Sequence, residues 1–251
     1  MTWPFVKMNG LGNDFIVVAD SGAPFAPTPA QIRALASREG PYGCDQVIAI
    51  TRSPRAHAAM RIWNSSGEEV EHCGNGARCV AWLMMAALDL DSVRLDTASG
   101  VLAASRRGQW LVQVDMGEPR LKWSEIPLAH PADTLNLPAD LTAGLLQDGG
   151  AKLGLGAAAS MGNPHVTFFV ADLDSPRVTV LGPPLETAPL FPQKVNVGFA
   201  EPLGPERLRL KVWERGAGLT SACGTGACAA VVNAVRRGLT GREVTVLTDG
   251  G

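Results

Sequence analysis

The chain has no clustered basic run, no apolar stretch of membrane-spanning length and no glycine motif for a nucleotide, and each absence removes a class of function. With 22 Lys and Arg against 24 Asp and Glu its formal net charge is −2. A nucleic acid or an anionic membrane is therefore not the expected partner, because either needs a concentrated positive surface. The longest apolar stretch, Ala77 to Leu90, is interrupted by Arg78 and falls short of the roughly 18 residues a span requires. The opening MTWPFVKMNG lacks the charged, apolar and small-residue regions of a signal peptide, so the expected compartment is the cytoplasm. There the five cysteines, an odd number, should be reduced thiols rather than a disulfide framework. No strand followed by GxGxxG, no GxxxxGK[ST] and no local His and Cys cluster occurs, so neither a cofactor nor a metal is expected.

What is present is repetition. CGNGARC at 73 to 79 returns as CGTGACA at 223 to 229. Displacing the sequence against itself by 150 positions holds one register without a gap from residue 12 to residue 79. Gly12 and Asn13 fall on Gly162 and Asn163, Gln46 on Asn196, Trp63 on Trp213, Asn64 on Glu214 and Cys73 on Cys223. The 251 residues are long enough for two domains, each with its own core. A period this long indicates a duplicated domain rather than a solenoid of short repeats.

Within each copy FIVVAD, QVIAI and MRIWN, or their counterparts, read as short strands separated by Gly, Pro, Ser and Asp clusters. After each cysteine motif comes a run apolar on nearly every side, ARCVAWLMMAALDL and ACAAVVNAVRRGL, which predicts a helix buried in the middle of its domain. Arg236, Arg237 and Gly238 sit where cations and a C-cap belong. The first copy continues through two further strand-like runs to VDMGEP, whereas the second stops after VTVLTDGG, one position off the main register. The expected domains are 1–118 and 119–251, the second lacking its final strands. Residues 119 to 155, without a counterpart, read as the connection between copies.

Each cysteine motif thus stands where a loop enters a helix. Amides at a helix N-terminus lack intrahelical partners, and the helix dipole adds positive potential there. GNG and GTG leave room for a small anion such as a carboxylate to reach those donors. The same potential favours thiolate over thiol, which singles out Cys73 and Cys223. Two thiols on opposite sides of one carbon could remove a proton and return another, inverting its configuration by general acid and base chemistry.

The other candidates have plainer readings. Cys44, Cys79 and Cys228 suit a core as small hydrophobes. Helix geometry turns Cys79 about 240° from Cys73, and His72 would have to ligate a metal alone. Trp63 and Trp213 read as core, Asn13 and Asn163 as turn residues, His165 as a structural histidine, and Glu214 with Arg215 as a surface ion pair. What lifts the polar set above these readings is that Asn13, Gln46 and Asn64 occupy the places of Asn163, Asn196 and Glu214.

From residue 8 to residue 229 the strings MNGLGNDF, GCDQ, RIWNSSGEEVEHCGNGARC, VDMGEP, SMGNPHV, FPQKVNVGF and VWERGAGLTSACGTGACA resemble the diaminopimelate epimerases, cofactor-independent enzymes of lysine and cell-wall precursor synthesis. CGTG alone is shared with proline racemase relatives. The resemblance implies an α/β (α+β) fold of two pseudo-twofold-related domains, each a mostly antiparallel sheet curled around a central helix, with the active site in the cleft between them. It implies interconversion of LL- and meso-2,6-diaminopimelate with Cys73 and Cys223 as the two bases. Asn13, Gln46, Asn64, Asn163, Asn196 and Arg215 would hold the distal ammonium and carboxylate, with Glu214 also at the substrate. Amides at Gly74, Asn75, Gly224 and Thr225 would take the reacting carboxylate. His165 and Glu214 would tune the thiols.

Leu219 stands where many members have Glu, and the family normally continues past VLTDGG with residues that pair with the sheets and help a dimer. A homodimer is therefore expected where the C-terminus permits it. A proline or hydroxyproline racemase would show CGHG where this chain has Asn75 followed by ARC. A thiol redox or metal-binding protein using the same cysteines would act without exchanging a substrate Cα proton.

Overall fold

The structure is a computed structural model, and it describes residues 3–19, 24–70, 73–137, 153–174 and 177–251. The chain divides into two compact units, Met1–Gly117 and Glu118–Gly251.

Unit 1 runs β1 (Phe5–Gly10), β2 (Asn13–Ala19), α1 (Pro29–Ala36), β3 (Gln46–Thr51), β4 (Ala58–Asn64), β5 (Glu69–Val70), α2 (Gly74–Leu88), β6 (Ser92–Thr97), β7 (Gly100–Arg106) and β8 (Val112–Asp115). Its sheet has the order β1-β2-β3-β4-β6-β7-β8, with β5 beside β4. The β2–β3 and β4–β6 pairings are parallel and the rest antiparallel. Helix α2 touches β1 and β2 as well as β6, β7 and β8, so the sheet curls until both of its ends reach one helix.

The apolar runs of β2 and β3 follow from burial on both faces. Phe15, Val17, Ile48 and Ile50 pack in the cluster that holds α2, while Ile16, Val18, Val47 and Ala49 join Ile32 of α1 on the other side. Helix α1 begins with a capping box, Thr28 accepting from the Gln31 amide while Gln31 reaches back to the Thr28 amide, and with Pro29 in its first turn. Helix α2 is buried through its first turns, but Ala86, Ala87 and Leu88 emerge into solvent, so its apolar character outlasts its burial.

Unit 2 runs β9 (Ala157–Ser160), β10 (Pro164–Phe169), α3 (Arg177–Glu186), β11 (Asn196–Gly204), β12 (Arg207–Glu214), β13 (Gly218–Thr220), α4 (Gly224–Arg236) and β14 (Thr245–Leu247). The order is β13-β12-β11-β10-β9, with β14 beside β12. The internal repeat is visible in the register. Phe15 faces Gln46 as His165 faces Asn196, and Ile62 faces Val70 as Val212 faces Thr220. The one-position slip is there too: Ala58 faces Leu95, while Leu208 faces Val246. Among the described residues of unit 2, β7 and β8 have no counterpart.

The stretch between the copies is more than a connection. Ile126, Leu128 and Leu137 are buried with Phe168 and Phe199 in the core of unit 2, which is where their apolar side chains escape water. Residues 138–152 of that stretch lie outside the described residues. Arg236 and Arg237 at the end of α4 bind this region, Arg236 to the Ala158 carbonyl and Thr134 Oγ1, Arg237 to the carbonyls of Leu135 and Leu155. Gly238 follows with φ +68° and closes the helix. Among the described residues no helix is long and apolar enough to cross a membrane.

Candidate active site

Cys73 and Cys223 are the N-cap residues of α2 and α4, each in extended backbone with φ −150° and −129° respectively. In both, the sulfur accepts from the third helical amide, Gly76 N to Cys73 Sγ and Gly226 N to Cys223 Sγ, at 3.3 Å each. A donor aimed at the sulfur favours its charged form, and the capping role fixes the side chain. Space is tight at both donors. A Cβ on Gly76 would lie 2.7 Å from Ile48 Cδ1, and one on Gly226 2.9 Å from Val212 Cγ2 and 3.2 Å from Cys223 Sγ.

In unit 1, Asn13 begins β2 after a two-residue turn in which Leu11 and Gly12 both have positive φ, 52° and 85°, the geometry of a tight hairpin. Asn13 Oδ1 accepts from Asn75 Nδ2 at 2.6 Å, and Arg78 donates to Asn75 Oδ1. Gln46 and Asn64 face each other across β3 and β4, Gln46 Nε2 donating to Asn64 Oδ1 at 2.8 Å. Behind them, Asp45 Oδ2 accepts the Asp14 amide, and Arg38 spans Asp14 and Asp45 at 2.6 and 2.7 Å. Those bonds from Arg38 hold the Asp14 carboxyl below its ordinary value. Asp14 and Asp45 stand beside Asn13 and Gln46 in GNDF and GCDQ, yet nothing in the sequence pattern separates their supporting role from that of the neighbours expected at the substrate.

In unit 2, Asn163 Nδ2 donates to Thr225 Oγ1 at 3.4 Å, the bond of Asn13 and Asn75 repeated one copy later with its polarity reversed. Thr225 Oγ1 is 3.5 Å from Cys223 Sγ. With Asn163 Nδ2 committed, its Oδ1 is the acceptor for His165 Nε2 at 3.0 Å, which places a hydrogen on Nε2. His165 is only 1% exposed. Asn196 is buried, its amide nitrogen donating to the Pro164 carbonyl and its Oδ1 accepting the Arg215 amide.

Glu214 accepts from Thr220 Oγ1 at 2.6 Å and from the Cys223 thiol. Burial raises its carboxyl above the ordinary value, and those two hydrogen bonds work against the rise. The surface ion pair expected of Glu214 and Arg215 is absent among the described ion pairs, and the Arg215 guanidinium instead donates to the Gln193 carbonyl at 3.1 Å. Thr220 is not legible in the sequence, because a Thr two places before Ala222 in a short strand carries no distinguishing pattern.

Gly74, Asn75 and Thr225 are buried and Gly224 half-buried at the two helix starts. The remaining thiols behave as packing groups. Cys44 and Cys79 are buried, and desolvation pushes Cys79 up to about 11. Cys228 is half-buried, Trp63 is core, and Trp213 is partly buried against the unit 2 core. His72 lies outside the described residues.

The family model described as diaminopimelate epimerase matches residues 5–122 and 157–251. The diaminopimelate epimerase of Phenylobacterium zucineum (strain HLK1) is 55% identical over 250 residues, covering 99% of this chain and 88% of that one. That of Acidiphilium cryptum (strain JF-5) is 50% identical over 248 residues, covering 99% and 86%. Among solved structures, a hydroxyproline epimerase from Agrobacterium vitis superposes with a TM-score of 0.60 at 16% identity, covering 94% of this chain and 78% of that one. It shares the fold.

Proposed function

Because the chain belongs to the diaminopimelate epimerase family, and so is an isomerase that interconverts LL- and meso-2,6-diaminopimelate in lysine biosynthesis, we propose that Cys73 and Cys223 are its two bases. One cysteine, as thiolate, takes the Cα proton onto its sulfur, and the C–H electron pair is left on carbon and the adjoining carboxylate. The other cysteine, as thiol, gives its S–H proton to the opposite face of that carbon. Configuration inverts, and the two sulfurs have exchanged protonation states. No cofactor enters this account.

The observation that carries the proposal is the matched pair of N-caps, in which each sulfur accepts one helical amide at 3.3 Å. A Cα proton beside a carboxylate is weakly acidic, so the developing charge must be stabilised. Amides at Gly74, Asn75, Gly224 and Thr225 have no carbonyl one turn back within their own helices, and they suit the reacting carboxylate. Removal of one such donor typically costs about 10²- to 10³-fold in rate.

Asn13, Gln46, Asn64, Asn163, Asn196 and Arg215 supply the polar groups for the distal amino acid centre, with Glu214 also at the substrate. A substrate lacking that centre would leave the remaining hydrogen-bonding capacity of these groups unmet, which is costly in a desolvated site. His165 acts through Asn163 and Thr225, and Glu214 acts directly on Cys223. The cytoplasm as compartment, a homodimer as assembly, and supply of meso product to peptidoglycan precursors complete the reading.

The test is Cα hydrogen exchange of LL-diaminopimelate in deuterated water, followed by NMR for the wild type, Cys73→Ala and Cys223→Ala. Exchange by the wild type with epimerisation lost in both variants is expected. Full epimerisation by either variant would overturn the two-base assignment.

A further inference from the structure

We infer that Glu186, far in sequence from either cysteine motif, is a positioning residue for the reaction, gripping the β12–β13 turn from below so that Glu214 stays against Cys223 and Arg215 stays presented. This rests on the proposed role of Glu214 at Cys223.

The turn is three residues long, Arg215-Gly216-Ala217, between the facing residues Glu214 and Gly218. Gly216 and Gly218 have φ of +75° and +80°, conformations that glycine adopts without strain. A turn of this kind, tipped by glycines, does not by itself fix the two side chains on which the chemistry depends. Glu186 supplies what it lacks. Its Oε2 accepts from Trp213 Nε1 at 2.8 Å and its Oε1 accepts the Gly216 amide at 3.0 Å. One carboxylate thus holds the residue before Glu214 and the residue after Arg215.

The grip comes from a rigid element. Glu186 ends α3, and its own carbonyl accepts the Val195 amide at 3.1 Å, joining the helix to the start of β11. One helical turn earlier is Gly182, whose absent Cβ would lie 2.5 Å from the Trp213 ring. Positions four apart share a helix face. Gly182 and Glu186 therefore form one seat, the glycine taking the indole face and the carboxylate its N–H. The Glu186 side chain is 12% exposed, and the charged group facing it is Lys194, with Nζ 3.8 Å from Oε1. Apart from that exposed lysine, both donors to the carboxylate belong to the segment that carries Glu214 and Arg215.

In unit 1 the corresponding turn is held differently, by Arg33 of α1 donating to the Ser66 carbonyl at 3.1 Å. The position of Glu186 is occupied by Ala36, and the Glu214 position is Asn64, which bonds to Gln46.

Glu186→Gln tests this, since an amide keeps one acceptor and turns an NH2 toward the second donor. The pH dependence of iodoacetamide labelling at Cys223 and Cys73, resolved by peptide mass mapping, is measured beside kcat and KM in wild type, Glu186→Gln and Glu214→Gln. The expected result is a Cys223 midpoint displaced in Glu186→Gln in the same direction as in Glu214→Gln, with Cys73 unmoved and kcat reduced about tenfold or more. A Cys223 profile and kcat per folded protein equal to wild type in Glu186→Gln, while Glu214→Gln displaces the profile, would overturn the inference alone. An unmoved profile in Glu214→Gln would instead sink the role of Glu214. If Glu186→Gln does not fold, Trp213→Phe removes the N–H and keeps a ring over Gly182; the same displacement of the Cys223 profile supports the inference, and a wild-type profile overturns it.

Discussion

The Cys223 thiol donates to the Glu214 carboxylate, which also accepts from Thr220 Oγ1 at 2.6 Å. The residue at the same place in unit 1, Asn64, carries no charge and bonds to Gln46 at 2.8 Å. Unit 1 thus places an uncharged amide where unit 2 places a carboxylate.

Glu214→Gln is expected to lower kcat by about 10²-fold, the usual scale for a group that assists proton transfer. It also has a stability signature. The folded carboxyl is raised by burial, so the native state holds its proton to higher pH than the unfolded chain. The contribution of Glu214 to stability is full below the unfolded value of 4.5 and is lost as pH rises through the raised folded value. The difference in melting temperature, wild type minus Glu214→Gln, should therefore fall between weakly acidic and neutral pH. A difference flat across that window would contradict the raised value.

Gly226→Ala should destabilise by about 1–3 kcal/mol through overpacking, although alanine is ordinarily the better helix residue by roughly 0.5–1 kcal/mol. The added methyl meets Val212 Cγ2 at 2.9 Å and the sulfur of Cys223 at 3.2 Å. Urea denaturation measures the first effect, and slower labelling of Cys223 the second. A gain in stability would show that β12 yields to the methyl.

In the folded protein at pH 8, iodoacetamide should leave Cys44 and Cys79 unmodified while Cys73 reacts. Burial raises both of those thiols, Cys79 to about 11, and the thiolate is the nucleophile. Labelled Cys79 in protein that still turns over would count against its place in the core.

Arg236→Met should cost about 2–4 kcal/mol, with little change in KM. The guanidinium serves Asn233 Oδ1, the Ala158 carbonyl and Thr134 Oγ1, each at 2.9 Å. Asn233 is fully buried, and acceptors left unsatisfied there carry a desolvation penalty. The urea midpoint checks the cost, and a loss under 1 kcal/mol would show that solvent replaces the arginine.

Much of this architecture is legible in the residues because the duplication makes the sequence its own comparison. The correspondence of β6 with β14, including the one-position slip, follows from aligning the chain on itself. The cysteine N-caps follow from glycines before an apolar run. Helix α3 is not legible in that way. Pro183 and Pro184 lie inside it and Gly182 precedes them, a string that reads as a break. What sustains the helix is burial of Val178, Leu181 and Leu185, tertiary packing that overrides local preference. Since α3 carries Glu186, the support of the β12–β13 turn was hidden with it. Thr220 and Arg78 are similar: single polar residues whose partners, Glu214 and Asn75, become neighbours only after folding.

The polarity reversal between the halves, Asn13 accepting where Asn163 donates, and Glu214 standing where unit 1 has Asn64 make the surroundings of the two proposed bases chemically unequal. The Haldane relation forbids that inequality from altering the balance of LL and meso isomers, which belongs to the substrates. It appears instead in kinetics, since under the proposed two-base assignment each direction of travel begins on a different sulfur. The forward and reverse reactions should differ in the pH at which they are fastest and in their solvent isotope effects, while their ratio at equilibrium stays fixed.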